Sequence, residues 1–566
     1  MRFDRKGVLH IQLSNYAFAI DEKTLCIRLR VAKDNVKSVT LFYGDTASRT
    51  SLVNFTSIKM NECASDESFT YFECLIENSY QRVVYYFEIL DLENKNHYYY
   101  ADNFYKEVSE NRNDLYKFPY IRKEDVGTPP SWLKNTTFYN IFPDSFVSRK
   151  RKGNKVLNIN GCEIKNKLGG TIKDIISKLD YIKDLGFNGV YINPLFMANE
   201  YHKYDVVDYF KIDPLFGTNK DFKNLVDEIH KRDMKVVIDL VLNHCGWYFF
   251  AFDDVVKNQE KSIYKDWFYG LRFPIYRPKT WEEIPPYDAF GYERNMPKLN
   301  TDNDEVIEYF KKLVNTLLTE FKVDGFRLDT SDEVNDYFWI CLNREIKKVN
   351  KDAVLIGEIW ENPEHWLNAL MFDSAMNYEL RKTMILFFKE KINIEELKNQ
   401  LVKLYFRNKK QYTYSLLNIL STHDTPRFYS LVDKDNFKYK AAYSLLYFLP
   451  GSISVLFGEE QPIEGIKECD YRQAINFRKK LRFADFFKKM NEIRIDNESL
   501  IDGSISINVE NNILKIEREF NQKRLTLILS GKYGKSLDID NSRIIYSSHY
   551  SFTHHKLESF GVVILA

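Results

Sequence analysis

Eight apolar runs alternate with amphipathic stretches between about Trp132 and Met490, and this alternation constrains the fold more than any other feature of the chain. The runs have the length and residue types of buried strands, and the stretches between them have the spacing of helices with one apolar face. The runs are FYNIFP, FNGVYINP, KVVIDLVLNH, VDGFRLD, AVLIGEIW, DSAMNY, SLLNILSTHD and SISVLFGEE. This pattern predicts an α/β fold with a (β/α)8 barrel over residues 132–490.

Shorter alternating runs, separated by turn residues, occupy both ends of the chain. Because 566 residues exceed what one hydrophobic core can hold, further domains are expected. Runs such as LCIRLRV and VVYYFEIL predict an N-terminal β-sandwich over residues 1–125, before the proline-containing linker GTPPSW. Runs such as ILKIERE and RLTLILS predict a C-terminal β-sandwich over residues 491–566.

The segment from Tyr201 to Tyr287 is longer than one loop and its helix require, and it is rich in aromatic residues. Long loops at this end of a barrel usually build one wall of the site. We therefore expect an excursion from the barrel after the third strand.

Charge, the N-terminal pattern and the cysteines argue against nucleic acid, membranes and zinc as partners. The chain has 81 basic and 80 acidic residues, so no basic surface for nucleic acid is expected. Charges interrupt every apolar run near the N-terminus, which predicts neither a signal peptide nor a membrane span and favours a cytoplasmic location. The seven cysteines are scattered without a CxxC pair, so we expect thiols rather than disulfides or a zinc site.

Polar side chains follow several of the predicted strands at their C-terminal ends, where barrel proteins carry their functional groups. Each could separately be a satisfied buried residue or a cap, but several acids that each follow an apolar run would cost stability without a function. The residues are Asp239 in the third strand with Asn243 and His244 at its end, Arg327 and Asp329 at the end of the fourth, Glu358 at the end of the fifth, and His423 and Asp424 at the end of the seventh. They should meet at one mouth of the barrel.

Asp329 and Glu358 form the pair of carboxyl groups that hydrolysis of a glycosidic bond requires. One carboxylate attacks or stabilises the anomeric carbon, and the other gives a proton to the leaving oxygen. Arg327 shares a strand face with Asp329 and should lower its pKa, whereas the apolar neighbours of Glu358 should raise the pKa of that acid.

These motifs resemble those of the α-amylase family, glycoside hydrolase family 13, along essentially the whole chain. DLVLNH, GFRLD, GEIW and STHD appear in the family's order. The resemblance implies Asp329 as the nucleophile, Glu358 as the acid/base and Asp424 as a third acid that holds sugar hydroxyls. It further implies a substrate-binding set of Tyr204, Asp239, Asn243, His244, Arg327, Glu333, Trp360 and His423, and either Glu468 or Asp470 with Arg472 on the distal sugar.

Within the family, the chain is most similar to the cyclomaltodextrinase, neopullulanase and maltogenic amylase group. It shares the N-terminal β-domain, the stretch HKYD…YFKIDPLFGT, Glu333 four residues after the implied nucleophile, and FDSAMNY. The resemblance implies cyclodextrins, short maltooligosaccharides and pullulan as substrates, a covalent glycosyl-enzyme intermediate, and a homodimer formed through the N-terminal domain.

The chain departs from the pattern of this group at three places. Asp332 stands where relatives commonly have Asn, and Glu361 stands where they have His, so the balance between hydrolysis and transfer is open. Where many relatives bind calcium after the first strand, the chain has Arg149, followed by the basic residues 150–152. Their side chains offer no oxygen ligands, so we expect no calcium there and no cofactor.

Two alternative functions remain open on the sequence. The first is an α-1,6-glucosidase or a transglycosylase of the same family, because the catalytic acids are shared and the loops set the linkage. The second is a non-catalytic carbohydrate-binding relative, although such a protein would usually lack one of the three acids, and all three are present.

Overall fold

The computed structural model describes residues 3–50, 52–77, 82–149 and 168–566, together with the backbone of 156–157 and 163–164. The side chains of residues 124 and 469 are not among those described. Contacts divide the chain into two units. One unit comprises Pro129–Lys389 and Ser415–Ile501, and the other comprises Met1–Thr128, Glu390–Tyr414 and Asp502–Ala566.

Eight parallel strands form the barrel in the first of these units. Their bounds are β1 Thr137–Ile141, β2 Gly189–Ile192, β3 Lys235–Leu240, β4 Gly325–Leu328, β5 Val354–Gly357, β6 Ser374–Ala375, β7 Leu417–Ile419 and β8 Ser452–Leu456. Hydrogen bonds join them in the order β6-β5-β4-β3-β2-β1-β8-β7. A parallel bridge between Met376 and Leu417 links the two ends, so the sheet is nearly closed and the predicted (β/α)8 barrel is confirmed.

Helices connect most of the barrel strands, and others precede β1 or follow β8. Their bounds are Ser131–Lys134, Pro143–Phe146, Ile172–Ile176, Leu179–Asp184, Asn219–His230, Phe250–Asn258, Asp304–Thr316, Asp336–Val349, Tyr378–Phe388, Phe428–Leu431, Asn436–Phe448, Glu468–Tyr471, Ala484–Ile495 and Glu498–Asp502, with one π-turn at Leu317–Phe321. In the helix Asn219–His230, Thr218 and Asp221 form a capping box that satisfies the free N–H groups of its first turn. Between β5 and β6, where every residue is described, the chain turns back without a helix.

Two insertions extend from the C-terminal side of the barrel. After β2 the chain forms a hairpin from Phe196–Ala198 and Val206–Ile212. After β3 it runs through residues 241–303 before the helix Asp304–Thr316, with one helix and two 3-10 turns on the way. The predicted excursion after the third strand is therefore present, and part of the segment assigned to it belongs to the hairpin after β2.

The N-terminal residues form a β-sandwich, as predicted. One sheet consists of Ala17–Ala19, Thr24–Ala32, Phe69–Glu77 and Asn61–Ser65. The other consists of Thr56–Lys59, Val36–Asp45, Val83–Asp91, Asn96–Tyr100, Asn103–Tyr105 and Tyr116–Phe118. Their alternating apolar residues share one buried cluster that includes Leu29, Leu41, Phe72 and Phe87.

The C-terminal residues form the predicted β-domain. The strands are Ser504–Glu510, Ile513–Phe520, Lys523–Ser530, Lys535–Ser536, Ile544–Ser551 and Lys556–Leu565. Hydrogen bonds join them into one six-stranded sheet, where the sequence suggested a sandwich. The helices Ile394–Arg407 and Lys410–Thr413, which lie between β6 and β7 in sequence, belong to the same unit as the two β-domains. The boundaries at residues 125, 132 and 490 stay predictions.

Five cysteines within the described residues are free thiols, namely Cys26, Cys63, Cys74, Cys245 and Cys341. Cys162 lies outside the described residues, as does the side chain of Cys469. Among the described helices, none is long and apolar enough to cross a membrane.

Candidate active site

The strand register brings the polar residues of β3, β4 and β5 to one level. Asp239 of β3 lies directly beside Arg327 of β4. Beyond the strand ends the same ladder continues, since the N–H of Asp329 donates to the carbonyl of Leu240 and the N–H of Glu358 donates to that of Leu328, both at 2.9 Å. In parallel neighbours the C-terminal ends share one edge, so the two acids emerge side by side.

Arg327 is the centre of this group. Its side chain is fully buried, and its Nη1 donates to Asp239 Oδ1 at 2.8 Å and to Asp329 Oδ1 at 2.9 Å. Its Nη2 forms an ion pair with Glu358 Oε1 at 2.7 Å. One guanidinium therefore holds three carboxylates from three adjacent strands, and its planar set of donors suits such an arrangement.

Burial dominates the protonation of the two acids. It raises the pKa of Asp329 well above the usual range, although Arg327 opposes the shift and the neighbouring Glu358 adds to it. Burial also raises the pKa of Glu358, again against Arg327. The prediction of a lowered pKa for Asp329 is wrong, because the sequence shows the arginine and not the depth of the carboxylate. The raised pKa of Glu358 agrees with the prediction.

Asp424 has the opposite character. Burial would raise its pKa, but the nearby His423 and Arg472 outweigh this and hold the pKa well below the usual range. Nε2 of His423 lies 2.7 Å from Asp424 Oδ2, and Nη2 of Arg472 donates to Oδ1 at 2.7 Å. This carboxylate therefore stays ionised while the other two compete for a proton.

Tyr204 packs against this group from the hairpin after β2. Its ring lies parallel to that of His423, with centroids 5.6 Å apart. Its hydroxyl donates to Asp239 Oδ2 at 3.0 Å and makes a short hydrogen bond with His423. Asp205, beside it, accepts hydrogen bonds from the backbone N–H groups of residues 199 and 200, so it shapes the loop.

Two residues at the end of β2, one in the strand and one directly after it, belong to the site and were missed from the sequence. Tyr191 donates to Asp239 Oδ2 at 3.0 Å, and Asn193 donates to the same oxygen at 3.1 Å. Asn193 also lies 2.9 Å from Nδ1 of His423. Both stand at the end of the predicted second strand, where the rule applied to the other strands would have found them.

Arg472 closes one end of the group with Glu468. Its Nη1 donates to Glu468 Oε1 and to the hydroxyl of Tyr201, each at 2.7 Å. Its guanidinium also lies over the ring of Phe142, 4.9 Å from the centroid. Of the two candidate partners, the acid that pairs with Arg472 is Glu468, while the backbone carbonyl of Asp470 accepts from Gln473.

Three further predicted residues, Asn243, Glu333 and His244, lie around Lys298. Asn243 donates to Glu333 Oε2 at 3.2 Å, and the ammonium of Lys298 lies 3.3 Å from the same oxygen. The buried His244 ring stacks on Phe290, at 5.1 Å between centroids. Burial, with a further contribution from Lys298, lowers the pKa of His244 to about 3, so this ring is neutral.

Trp360 offers an aromatic face to solvent. Its side chain is 48% exposed, and the ring is stacked on Tyr378 with centroids 4.0 Å apart. The hydroxyl of Tyr378 in turn donates to Glu358 Oε1 at 3.3 Å. The pair thus places a flat apolar surface next to the proposed acid, as sugar-binding sites require.

Backbone conformation at the acids is unusual. Thr330, directly after Asp329, has a φ of 43°, which is left-handed backbone that β-branched residues rarely adopt. Its N–H donates to Glu358 Oε2 at 2.9 Å. A Cβ at Gly357 would lie 2.7 Å from the Phe372 ring, so only glycine fits before Glu358. Such strain is typical of functional sites.

The described residues include no group of three or more acids, histidines or cysteines placed to hold a metal ion. Arg149 forms a bidentate salt bridge with Asp174, in which Nε donates to Oδ2 and Nη2 donates to Oδ1, each at 2.8 Å. Lys150, Arg151 and Lys152 lie outside the described residues. The expectation that calcium and other cofactors are not needed stays a prediction.

A parallel barrel with a buried cluster of carboxylates at the C-terminal ends of β3, β4 and β5 is typical of barrel glycoside hydrolases. The catalytic-domain model of the α-amylase family matches residues 140–503, and the model of its N-terminal Ig-like domain matches residues 3–122. The chain belongs to the α-amylase family.

Within the α-amylase family, the chain is similar to maltogenic amylases and cyclomaltodextrinases. A maltogenic α-amylase from Bacillus acidopullulyticus is 32% identical, with 93% of this chain and 92% of that protein covered. A cyclomaltodextrinase from Geobacillus thermopakistaniensis is 33% identical, with 83% and 80% covered. The solved structure of a cyclomaltodextrinase superposes with a TM-score of 0.88 at 30% identity, covering 99% of this chain and 97% of that one. The predicted family and enzyme class are confirmed.

Proposed function

We propose that the chain hydrolyses α-1,4-glucosidic bonds of cyclodextrins, short maltooligosaccharides and pullulan with retention of anomeric configuration. The observation that carries the proposal is the placement of Asp329 and Glu358 on adjacent nitrogens of one buried guanidinium. Retaining enzymes keep their two carboxyl groups about 5–5.5 Å apart, whereas inverting enzymes need room for a water between them. Sharing one guanidinium favours the shorter separation.

In the first step, the ionised Asp329 attacks the anomeric carbon through a carboxylate oxygen. The bond from that carbon to the leaving oxygen breaks, and Glu358 gives its proton to the leaving oxygen. Burial favours the protonated form of Glu358, as a general acid requires. When Glu358 carries the proton, Arg327 stabilises the ionised carboxylate of Asp329.

In the second step, a water molecule attacks the anomeric carbon of the glycosyl-enzyme ester. Glu358, now ionised, accepts the proton of that water, and the bond to Asp329 breaks. Asp424, which stays ionised, accepts hydrogen bonds from sugar hydroxyls next to the reacting carbon. Because those bonds strengthen as the ring distorts, Asp424 contributes more to the transition state than to the ground state.

The other site residues supply the remaining contacts with sugar. Tyr204 and Trp360 provide aromatic rings for the sugar, and the paired Arg472 and Glu468 provide charged groups for the distal sugar. The names of the relatives support maltooligosaccharides and cyclodextrins as substrates. A cytoplasmic location, no need for a cofactor, and a homodimer through the N-terminal domain complete the proposal.

Product analysis over time on β-cyclodextrin, maltotriose, pullulan and soluble starch tests the proposal. We expect cyclodextrin and maltotriose to be cut to maltose and glucose faster than starch, and proton NMR to show the α-anomer as the first product. Asp329→Asn should lose more than about 10³-fold in kcat, because it removes the attacking oxyanion. Asp373→Asn is the matched control, since Asp373 is a buried carboxylate paired with Lys347 at the start of β6.

Three outcomes would overturn parts of the proposal. The β-anomer as first product would contradict retention. Release of maltotriose from pullulan, with cyclodextrin and maltotriose left intact, would favour α-1,6 specificity, and products longer than the substrates would favour transfer. A wild-type chain that leaves all four carbohydrates intact would contradict hydrolysis and favour a binding protein.

A further inference from the structure

Arg427 forms hydrogen bonds with the segment that follows β8. Its side chain is fully buried, its Nε donates to the carbonyl oxygen of Tyr471 at 2.8 Å, and its Nη1 donates to that of Phe457 at 2.7 Å. Its backbone N–H donates to the carbonyl of Gly465 at 2.9 Å. One residue after β7 therefore holds the start, the middle and the end of the chain from Phe457 to Tyr471.

Glu459 and two tyrosines hold the side chain of Arg427 in this conformation. Glu459 Oε1 lies 3.2 Å from its Nη1, and the other oxygen of Glu459 accepts from Tyr439 at 2.5 Å and Tyr443 at 3.0 Å. Both tyrosines stand on the helix Asn436–Phe448. Burying an arginine and a glutamate costs desolvation energy that the pair alone rarely recovers. The two backbone carbonyls bound by the guanidinium, those of Phe457 and Tyr471, suggest that the pair serves to fix this loop.

The residue that follows this segment, Arg472, returns to the end of β7 and contacts Asp424. Arg472 directly follows Tyr471, and its Nε donates to the carbonyl of His423 at 2.7 Å. Its Nη2 donates to Asp424 at 2.7 Å. Fixing the carbonyl of Tyr471 fixes the peptide that leads to Arg472, so the position of the Asp424 carboxylate depends on Arg427.

We propose that Arg427 is a positioning residue of the hydrolytic reaction, acting through Arg472 on Asp424. It does not touch the substrate, because its guanidinium is enclosed by backbone carbonyls and Glu459. The hydrogen bonds that it donates to the loop after β8 keep Asp424 in the geometry that the sugar hydroxyls need. This inference rests on the proposed hydrolysis.

A double-mutant cycle tests the route through Arg472. Arg427→Lys keeps the positive charge beside Glu459, but one ammonium cannot reproduce the planar fork that binds two carbonyls. We expect kcat/KM on maltotriose to fall by about 10–100-fold in the wild-type background, because misplacement of catalytic groups by about 1 Å costs that much. In the Arg472→Lys background the same change should cost less than about threefold, because its route is already broken.

Arg494→Lys is the matched control. Arg494 is also fully buried and donates to backbone carbonyls, those of Tyr447 at 2.7 Å and Lys134 at 3.1 Å. Neither carbonyl belongs to the site, so the substitution should lower the melting temperature and leave kcat/KM within about threefold in both backgrounds.

Equal losses from Arg427→Lys in the two backgrounds, or an unchanged kcat/KM in a folded variant, would overturn the inference. If Arg427→Lys does not fold, Tyr443→Phe replaces it, since it removes one hydroxyl that orients Glu459. A several-fold loss that disappears in the Arg472→Lys background is then expected, and an unchanged kcat/KM contradicts the route. A wild-type chain without activity would instead overturn the proposed function.

Discussion

At the scale of single residues, the site separates three carboxylates by their surroundings. Asp424 stays ionised beside His423 and Arg472, whereas burial favours the protonated forms of Asp329 and Glu358. Because the last two share Arg327 and repel each other, they titrate as a pair. In the proposed mechanism, the proton that remains on the pair is the one that the leaving group receives.

Glu358→Gln tests this assignment. On maltotriose we expect a loss of about 10²–10⁴-fold, because the leaving oxygen no longer receives a proton. On α-maltosyl fluoride, whose leaving group needs little protonation, the first burst of fluoride should fall much less. Single-turnover fluoride release measures this difference.

The pH dependence of kcat/KM tests whether Glu358 is the general acid. A general acid with a raised pKa loses its proton only as the pH rises through that value, so kcat/KM of the wild type should fall on the alkaline side. In the burst phase of Glu358→Gln on the fluoride, that alkaline fall should vanish. Equal losses on both substrates, or an unchanged alkaline fall, would remove Glu358 from the role of acid.

At the scale of elements, the hairpin after β2 brings Tyr201 and Tyr204 to the site. Its tip is held by Lys203, whose ammonium lies 2.8 Å from Asp213, with both side chains almost completely buried. Lys203 has a φ of 68°, which is left-handed backbone. A buried ion pair thus fixes a strained turn that carries two site residues.

Lys203→Met should loosen this hairpin. Removing one partner of a buried pair costs about 3–5 kcal/mol, because the other charge stays buried without compensation. We expect faster hydrogen exchange across residues 198–213 and a lower kcat/KM. The control is Lys211→Met, which breaks an exposed pair with Asp208 at 3.2 Å and should cost at most about 1 kcal/mol. Equal exchange rates in the two variants would contradict the role of Lys203.

At the scale of the whole molecule, the chain combines a barrel unit with a unit built from both ends of the sequence. The segment Glu390–Tyr414, which interrupts the barrel between β6 and β7, belongs to the second unit. Within that unit, Arg28 of the N-terminal sandwich donates to the carbonyls of Phe406 and Asn408, at the end of the helix Ile394–Arg407. The two units are therefore interleaved along the sequence.

The expected homodimer is a prediction at this scale. Sedimentation equilibrium at micromolar concentration should give twice the chain mass of 67.3 kDa. Dilution should lower the mass only when the interface is weak. A mass of one chain across the whole concentration range would contradict the dimer, without bearing on the reaction.

The sequence by itself determined the barrel and the places of three acids at the ends of its strands. The ends of buried strands can be located from short, nearly continuous apolar runs, and every parallel strand delivers the residue after it to the same edge, so placing Asp329, Glu358 and Asp424 there required no knowledge of contacts. Turn residues and alternation likewise marked both β-domains.

Only the tertiary structure decided what surrounds those residues. The net pKa shift of Asp329 depends on its depth, and the choice of Glu468 over Asp470 as the partner of Arg472 depends on how a loop folds. Tyr201 meets Arg472 from far along the chain. Such contacts join segments whose paths are set by the packing of the whole barrel, and no local pattern in the sequence records them.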